Sequence, residues 1–445
     1  MNMTRKIYMA LALAGSLLFA SCDNYLDIQP VGKVIPNTLA EYRALLTTVY
    51  NTKLNDKAVT ELRTDIAQVN SVSSSQNTYG DIQIWNDLSP KAGTRDFVWD
   101  SYYTNIYYAN AVIDKKDEIT EGTPEGVNQL VGEAYLIRAY MHFILVNLYG
   151  QPYTLQGAPD TKAVPIKWDL DLEGVPTRST VKEVYEAILS DIASARGLIN
   201  QKEWESQYSY RFSTLSVDAM EARVRLYMGS WQEAYDAAER VLAAKPDLED
   251  LNAADAKLPN DYQSAEMITA YEYFSDDVTS ALVMAPAFIQ KYQAGKDLRL
   301  DKYFSKNKDG EYLSAKSGSS QYNCTFRNGE MYLTAAEAAA HLNKLPEART
   351  RLLQLMQKRY TPAGYAEKEN TVKAMNQTDL LTEILTERAL ELAVEGHRWF
   401  DLRRTTRPKI QKTVGGKTYV LEENDSRYTL RIPQAAIDAN PGLLN

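Results

Sequence analysis

Apolar residues recur every three to four positions in several long stretches of the chain, the spacing that gathers them on one face of a helix. Between Phe97 and Ile119 the residues Val98, Tyr102, Ile106, Ala109 and Ile113 form one stripe. A second run covers Gly132 to Tyr149 and is stopped by Gly150 and Pro152. Its segment Phe143-Ile144-Leu145-Val146 is apolar all round, which predicts a helix enclosed by neighbours. Thr180 followed by Glu183 is a capping box, in which each side chain satisfies an amide at the helix start; Val181, Val184, Tyr185, Ile188 and Ile192 supply the inward stripe behind it. A partner helix runs from about Leu215 to Met228, Gly229-Ser230-Trp231 makes a tight turn, and Gln232 to Ala244 returns before Pro246. Near the end, Lys412-Thr413-Val414 and Lys417-Thr418-Tyr419-Val420 flank Gly415-Gly416, a β-hairpin signal.

Two stretches break this pattern: residues 60–95, with the run Ser71-Val72-Ser73-Ser74-Ser75, and residues 248–328, rich in Tyr, Asp, Ser and Gly. Long irregular segments inside a compact unit are usually functional. The offsets of Ala222, Gly229, Trp231, Ala234 and Pro246 resemble the tetratricopeptide repeat, where small residues let two antiparallel helices approach. Ala336, Asn343, Leu345 and Ala348 repeat the first intervals. The copies lie about 114 residues apart, against a period of roughly 34 residues for a regular array. The array is therefore interrupted by an insertion. The reading is an all-α platform of about four helix pairs, with repeat helices near 97–149, 180–245 and 330–402, insertions at 60–95 and 248–328, and one small hairpin.

The first residues carry a different signal. Arg5 and Lys6 precede an apolar run from Ile7 to Phe19, then Ala20, Ser21 and Cys22. That order marks a secretion signal, and the apolar run is too short for a comfortable membrane span. Leu18-Phe19-Ala20-Ser21-Cys22 resembles a bacterial lipobox, so residues 1–21 are expected to be removed and Cys22 acylated. Two or more acyl chains suffice to hold a soluble body at a membrane. Residues 22–445 then form a single domain, since no Pro/Gly/Ser-rich linker divides them.

The remaining chemistry is sparse. Cys324 has no second cysteine to pair with once Cys22 carries lipid. The formal charge of −9 argues against nucleic acid, whose binding needs basic patches. His142, His341 and His397 each stand on or beside a helix without a second ligand at metal spacing, so no metal, cofactor or catalytic triad is expected. Gly416-Lys417-Thr418 imitates the end of a phosphate loop, but Gln411 stands where its first glycine belongs, and the segment is a hairpin. Carboxylates are plentiful, yet their separation cannot be read from sequence, and nothing else points to an enzyme.

Thirty tyrosines and six tryptophans against nine phenylalanines favour rings with a polar tip, which suit stacking under the C–H faces of sugars. Those on helices, such as Tyr102, Tyr103 and Tyr140, are assigned to packing. Tyr79 and Trp85 in the first insertion, and Tyr262, Tyr271, Tyr273, Phe274 and Tyr292 in or beside the second, are the better candidates for ligand contact. Arg63 and Asp65 can supply hydrogen bonds to sugar hydroxyls, a surface salt bridge being the alternative.

The chain also resembles a known family. Cys22-Asp23-Asn24-Tyr25-Leu26-Asp27 is similar to the opening of the SusD/RagB-like family, the starch-binding-type outer-membrane lipoproteins of Bacteroidetes. Trp99-Asp100 with Tyr102 and Asn110, and Arg138-Ala139 with Leu148-Tyr149-Gly150, resemble its repeat helices. Glu387-Arg388, Glu391-Leu392, Glu395-Gly396-His397-Arg398-Trp399 and Asp401-Leu402 resemble its most specific signature. The matches reach Ile432-Pro433 and Asn440-Pro441, while the closing Gly442-Leu443-Leu444-Asn445 departs from the Gln/Asn-rich ending common in the family.

The resemblance implies a glycan-binding lipoprotein on the cell surface, anchored in the outer membrane through Cys22, that hands oligosaccharide to a SusC-like TonB-dependent porin and acts as its lid. A tetratricopeptide-type scaffold for proteins is the alternative. Carried over by region, the glycan site falls on Arg63, Asp65, Tyr79, Trp85, Tyr271 and Tyr273. The signature reads as structural, with Leu381, Leu385 and Leu392 inward, Gly396 ending the helix in a left-handed conformation, and the charges pairing across the turn.

Overall fold

The computed structural model describes residues 36–444 apart from 53, 275 and 317–322. The expected anchor at Cys22 lies outside the described residues. The principal helices are α1 (Leu39–Tyr50), α2 (Ser73–Gln83), α3 (Asp100–Asp114), α4 (Pro124–Tyr149), α5 (Val181–Leu198), α6 (Thr214–Met228), α7 (Trp231–Ala244), α8 (Asn328–His341), α9 (Leu345–Gln357), α10 (Pro362–Ala374), α11 (Gln377–Glu391) and α12 (Arg398–Arg404). Helices α3 to α9 pack each against the next, and α11 closes against α8. The enclosed helix is α4: from Gln129 to Tyr149 nearly every side chain is buried, as its all-round apolar sequence requires.

Local chemistry sets several boundaries. The Thr180 hydroxyl accepts from the Glu183 amide at 3.2 Å while the Glu183 carboxylate accepts from the Thr180 amide at 2.7 Å. α6 turns into α7 at Gly229 (φ 73°), and α8 turns into α9 at Asn343 (φ 58°). The four alanines of the repeat reading, Ala222, Ala234, Ala336 and Ala348, are fully buried, which lets the helices approach closely. The array interrupted in sequence is continuous in space, because α7 packs directly on α8.

Among the described residues, four two-stranded antiparallel sheets decorate the helices. One is the expected hairpin, Ile410–Val414 with Lys417–Leu421, in register Thr413↔Thr418 around Gly415 and Gly416, both at positive φ. Two expectations need correction. The Ser-rich part of 60–95 is the helix α2, because Tyr79 and Ile82 fall on one face and bury together. In α11 the residues turned inward are Leu380 and Ile384, with Leu381 and Leu385 only half-buried. The inward face of its last turns is instead given to Glu387, Arg388 and Glu391.

Candidate functional site

The two insertions, separate in sequence, form one lobe. Strand β1 (Ala67–Val69) from the first pairs antiparallel with Leu282–Met284 from the second, Gln68 opposite Val283. Around this pair Leu62, Ile66, Tyr79, Ile82, Phe274, Phe288, Tyr292 and Tyr303 make an apolar core of their own. Leu390, Ala393 and Val394 at the end of α11 complete it, so the signature segment lies beneath the lobe.

Of the predicted site rings, Tyr79 belongs to this core, and Trp85 and Tyr271 to the main helical core. Arg63 is fully buried; its guanidinium grips Asp87 through two hydrogen bonds of 2.7 and 2.8 Å, donates to the Arg427 carbonyl at 2.8 Å and covers the Trp399 ring at 4.9 Å. Asp65 is held bidentately by Arg398 at 2.8 and 2.7 Å. Trp85, also buried, donates its indole N–H to the Arg63 carbonyl at 2.9 Å and sits at φ 59°. Tyr79 packs inside the lobe, and Tyr271 lies edge-on to Tyr50 and Phe212 in the main core. Tyr79, Trp85 and Tyr271 are each at most 5% exposed, and Tyr271 borders one small cavity. Their large apolar area is better satisfied in these two cores than in water. Of the six, Tyr273 alone is a half-buried ring, lining two small cavities beside Glu272.

The same packing builds a larger feature. A cleft of about 1160 Å³ opens between the segment 82–103 and the C-terminal segment 429–444. One wall is aromatic: Phe97, Trp99, Tyr103 and Tyr149. The Trp99 ring centroid stands 5.2 Å from Tyr103 and 5.1 Å from Tyr149. The rings are fixed by their polar tips, Tyr103 donating to the Pro165 carbonyl at 2.9 Å and Tyr149 to the Val98 carbonyl at 3.3 Å. The cleft is also lined by Asp87, Arg95, Gln151, Lys162, Arg178, Arg431, Gln434 and Asn440. Arg63 thus acts on the cleft indirectly, by holding the Asp87 carboxylate in its wall.

The far wall is secured from below. Arg403, buried, donates to the carbonyls of Asn147, Gly150 and Tyr428, joining the end of α4 to the C-terminal segment. Burial pulls its guanidinium down to about 10, outweighing the nearby tyrosines. The Leu430 amide donates to the Leu148 carbonyl at 2.9 Å, and Asn440 to the Pro176 carbonyl at 2.9 Å. Assigning Tyr103 to packing overlooks its place on the cleft wall, and neither Trp99 nor Tyr149 is among the ligand candidates of the sequence. A signal was present in the doublet Tyr102-Tyr103, since adjacent helical positions point about 100° apart and only one can lie on the buried stripe. Tyr102 is the buried one.

Ionisable groups elsewhere are tied up in structure. Glu391 accepts from Arg327 at 2.7 Å and from Arg359 at 2.9 Å, with Arg299 at 3.4 Å. Glu387 pairs with Arg299 at 2.8 Å, and Arg388 with Asp401 at 2.8 Å across the turn. Burial alone would raise the Glu391 carboxyl, but Arg359 and Arg327 hold it well below the usual range. Glu395 is drawn down to about 2 against its burial by Arg327 and Lys316. Burial lowers His142 to about 3, and burial with the nearby Lys57 holds His397 well below its usual range, which favours the neutral ring in both. Among the described residues no three His, Cys, Asp or Glu side chains are grouped to hold a metal ion, and no helix is long and apolar enough to cross a membrane.

A stack of helix hairpins carrying an insertion lobe and a long aromatic-walled cleft defines a helical-platform binding protein. Residues 24–226 match the family described as "Starch-binding associating with outer membrane", and residues 203–445 match the SusD family. The chain belongs to the SusD family. It is 27% identical over 390 residues to SusD-like protein P38 of Formosa agariphila, covering 72% of this chain and 74% of that one. Its fold matches a SusD superfamily protein from Bacteroides thetaiotaomicron with a TM-score of 0.75 at 22% identity, covering 91% and 99% of the two chains. It also matches a laminarin-binding SusD-like protein with a TM-score of 0.62 at 19% identity, covering 83% and 92%.

Proposed function

We propose that this protein captures oligosaccharide in the cleft beside Trp99 without cleaving it, and delivers it to a SusC-like TonB-dependent porin while anchored in the outer membrane through Cys22. The observation that carries the reading is Trp99 set between Tyr103 and Tyr149 in a cleft large enough for several sugar rings. Such a wall offers the half-buried rings of Trp99 and Tyr103 to sugar C–H groups, with Tyr149 buried against Trp99, and Gln434, Arg431 and Lys162 line the same cleft to meet hydroxyls. Family membership and the laminarin-binding relative support the ligand class.

The test is a glycan array followed by calorimetry on the soluble body, starting after Cys22. Binding in the micromolar to millimolar range is expected, with a loss of about tenfold or more in Trp99→Ala and a smaller loss in Arg431→Ala. Trp99→Ala is compared with wild type by thermal melting, so that a binding loss is read only in folded protein. Silence across the array, with and without the porin, overturns the capture reading. Reducing ends released from the bound glycan at catalytic turnover would replace it with a hydrolase.

A further inference from the structure

The loop between α5 and α6 carries an aromatic group that the cleft does not use. Trp204, Tyr208 and Tyr210 surround the guanidinium of Arg211, whose central carbon lies 5.1, 4.8 and 5.6 Å from the three rings. Tyr208 is 39% exposed and Trp204 half-buried. Their orientation is set by hydrogen bonds within the loop: the indole N–H of Trp204 donates to the Phe212 carbonyl at 3.0 Å, and the Arg211 amide to the Tyr208 carbonyl at 2.9 Å. Tyr210 leans edge-on against Tyr50, with centroids 5.2 Å apart, which seats the loop on the core.

Arg211 is unlike most buried arginines of the fold, which meet carboxylates or, as Arg403 does, several carbonyls. Arg138, Arg223, Arg299, Arg359 and Arg388 all meet carboxylates. Among the described residues no carboxylate forms an ion pair with Arg211, and its Nε is buried without a hydrogen-bond partner. A cation kept between aromatic rings retains unused N–H donors beside an exposed ring face. Residues 200–203 and 205–207 around it are all polar and exposed. The rings therefore stand in a hydrophilic surround, without the contiguous aliphatic patch that the core of a protein interface needs.

We propose that Trp204, Tyr208 and Arg211 form a second glycan-contact surface, separate from the cleft, which takes the C–H face of a sugar ring against Tyr208 and Trp204 while Arg211 donates to its hydroxyls. The separation follows from α4. The amides of Asn200 and Gln201 both donate to Gln129 near the start of that helix, at 2.9 and 3.0 Å, whereas Tyr149 at its end belongs to the cleft wall. At 1.5 Å per residue these positions stand roughly 30 Å apart. A long polysaccharide can engage both surfaces and gain avidity, and a short oligosaccharide only one.

The inference rests on the capture reading, and the experiment separates the two. Native gels cast with laminarin, starch or other soluble polysaccharides measure retardation of the wild type, Trp99→Ala, Tyr208→Ala and the double variant. Tyr208→Ala is expected to weaken retardation by long polysaccharide about tenfold while leaving calorimetric binding of short oligosaccharides unchanged. Trp99→Ala is expected to keep a residual retardation that Tyr208→Ala then removes. Arg211→Gln, with its melting temperature checked against wild type, is expected to follow Tyr208→Ala. If Trp99→Ala abolishes all retardation, or Tyr208→Ala changes none, the second surface is overturned while the cleft stands. Loss of porin association without loss of retardation overturns it in favour of a protein contact. Failure of the wild type to bind any polysaccharide removes the capture reading and this one with it.

Discussion

The indole of Trp231 lies flat on the imidazole of His341, with ring centroids 3.7 Å apart and planes within 8°. Trp231 opens α7 and His341 closes α8, so this stack joins the two tetratricopeptide-like hairpins at the helix ends opposite those where 83 intervening residues leave the array and return. Burial lowers the pKa of His341, which favours the neutral ring. Substituting Trp231→Ala and His341→Ala singly and together is expected to give a coupling energy of about 0.5–1.5 kcal/mol in urea denaturation. Additive effects would show that the stack contributes no more than its separate packing.

The charged cluster under the insertion lobe is expected to be the least tolerant part of the fold. Glu391→Gln leaves Arg327, Arg359 and Arg299 facing one another with their central carboxylate charge removed. Breaking a buried ion pair from one side costs about 3–5 kcal/mol. Chemical denaturation should report a loss of that size, and a loss under 1 kcal/mol would mean the arginines find other partners.

Glu61 supplies a pH-dependent term of known sign. Burial raises its carboxyl to about 7 from an ordinary 4.5, against the opposing amides of Arg398 and Gly396, and its Oε2 is buried without a partner. A raised carboxyl pKa gives stability that is whole below the ordinary value and is lost as pH rises through about 7. Glu61→Gln abolishes that loss. The stability difference between variant and wild type should therefore shift in favour of the variant by on the order of 2 kcal/mol between pH 5 and pH 8. A difference flat across that range would sink the assignment.

Cys324 is buried, and burial lifts its thiol well above the usual range. In protein beginning after Cys22, a thiol-specific chromogenic reagent is expected to give one equivalent of reaction only after denaturant is added. Fast reaction in the native state would show that the packing around Cys324 opens readily.

Much of the framework was legible before any coordinates. Thr180 and Glu183 start a helix wherever they occur in that spacing, Gly229 and Asn343 accept a left-handed turn, and Gly415-Gly416 closes a hairpin, because each feature depends on neighbours within a few residues. The family signature likewise marked a structural centre, although its outline missed that Leu380 and Ile384 turn inward in place of Leu385. The site was less legible. Tyr79, Trp85 and Tyr271 have the composition of ligand-binding rings, yet burial depends on what comes to cover them, and the pairing of β1 with Leu282–Met284 spans about two hundred residues. Trp99, Tyr103 and Tyr149 line a cleft that the distant segment 429–444 lines with them. Local spacing settles backbone hydrogen bonding; solvent access to a side chain is a property of the whole packed chain.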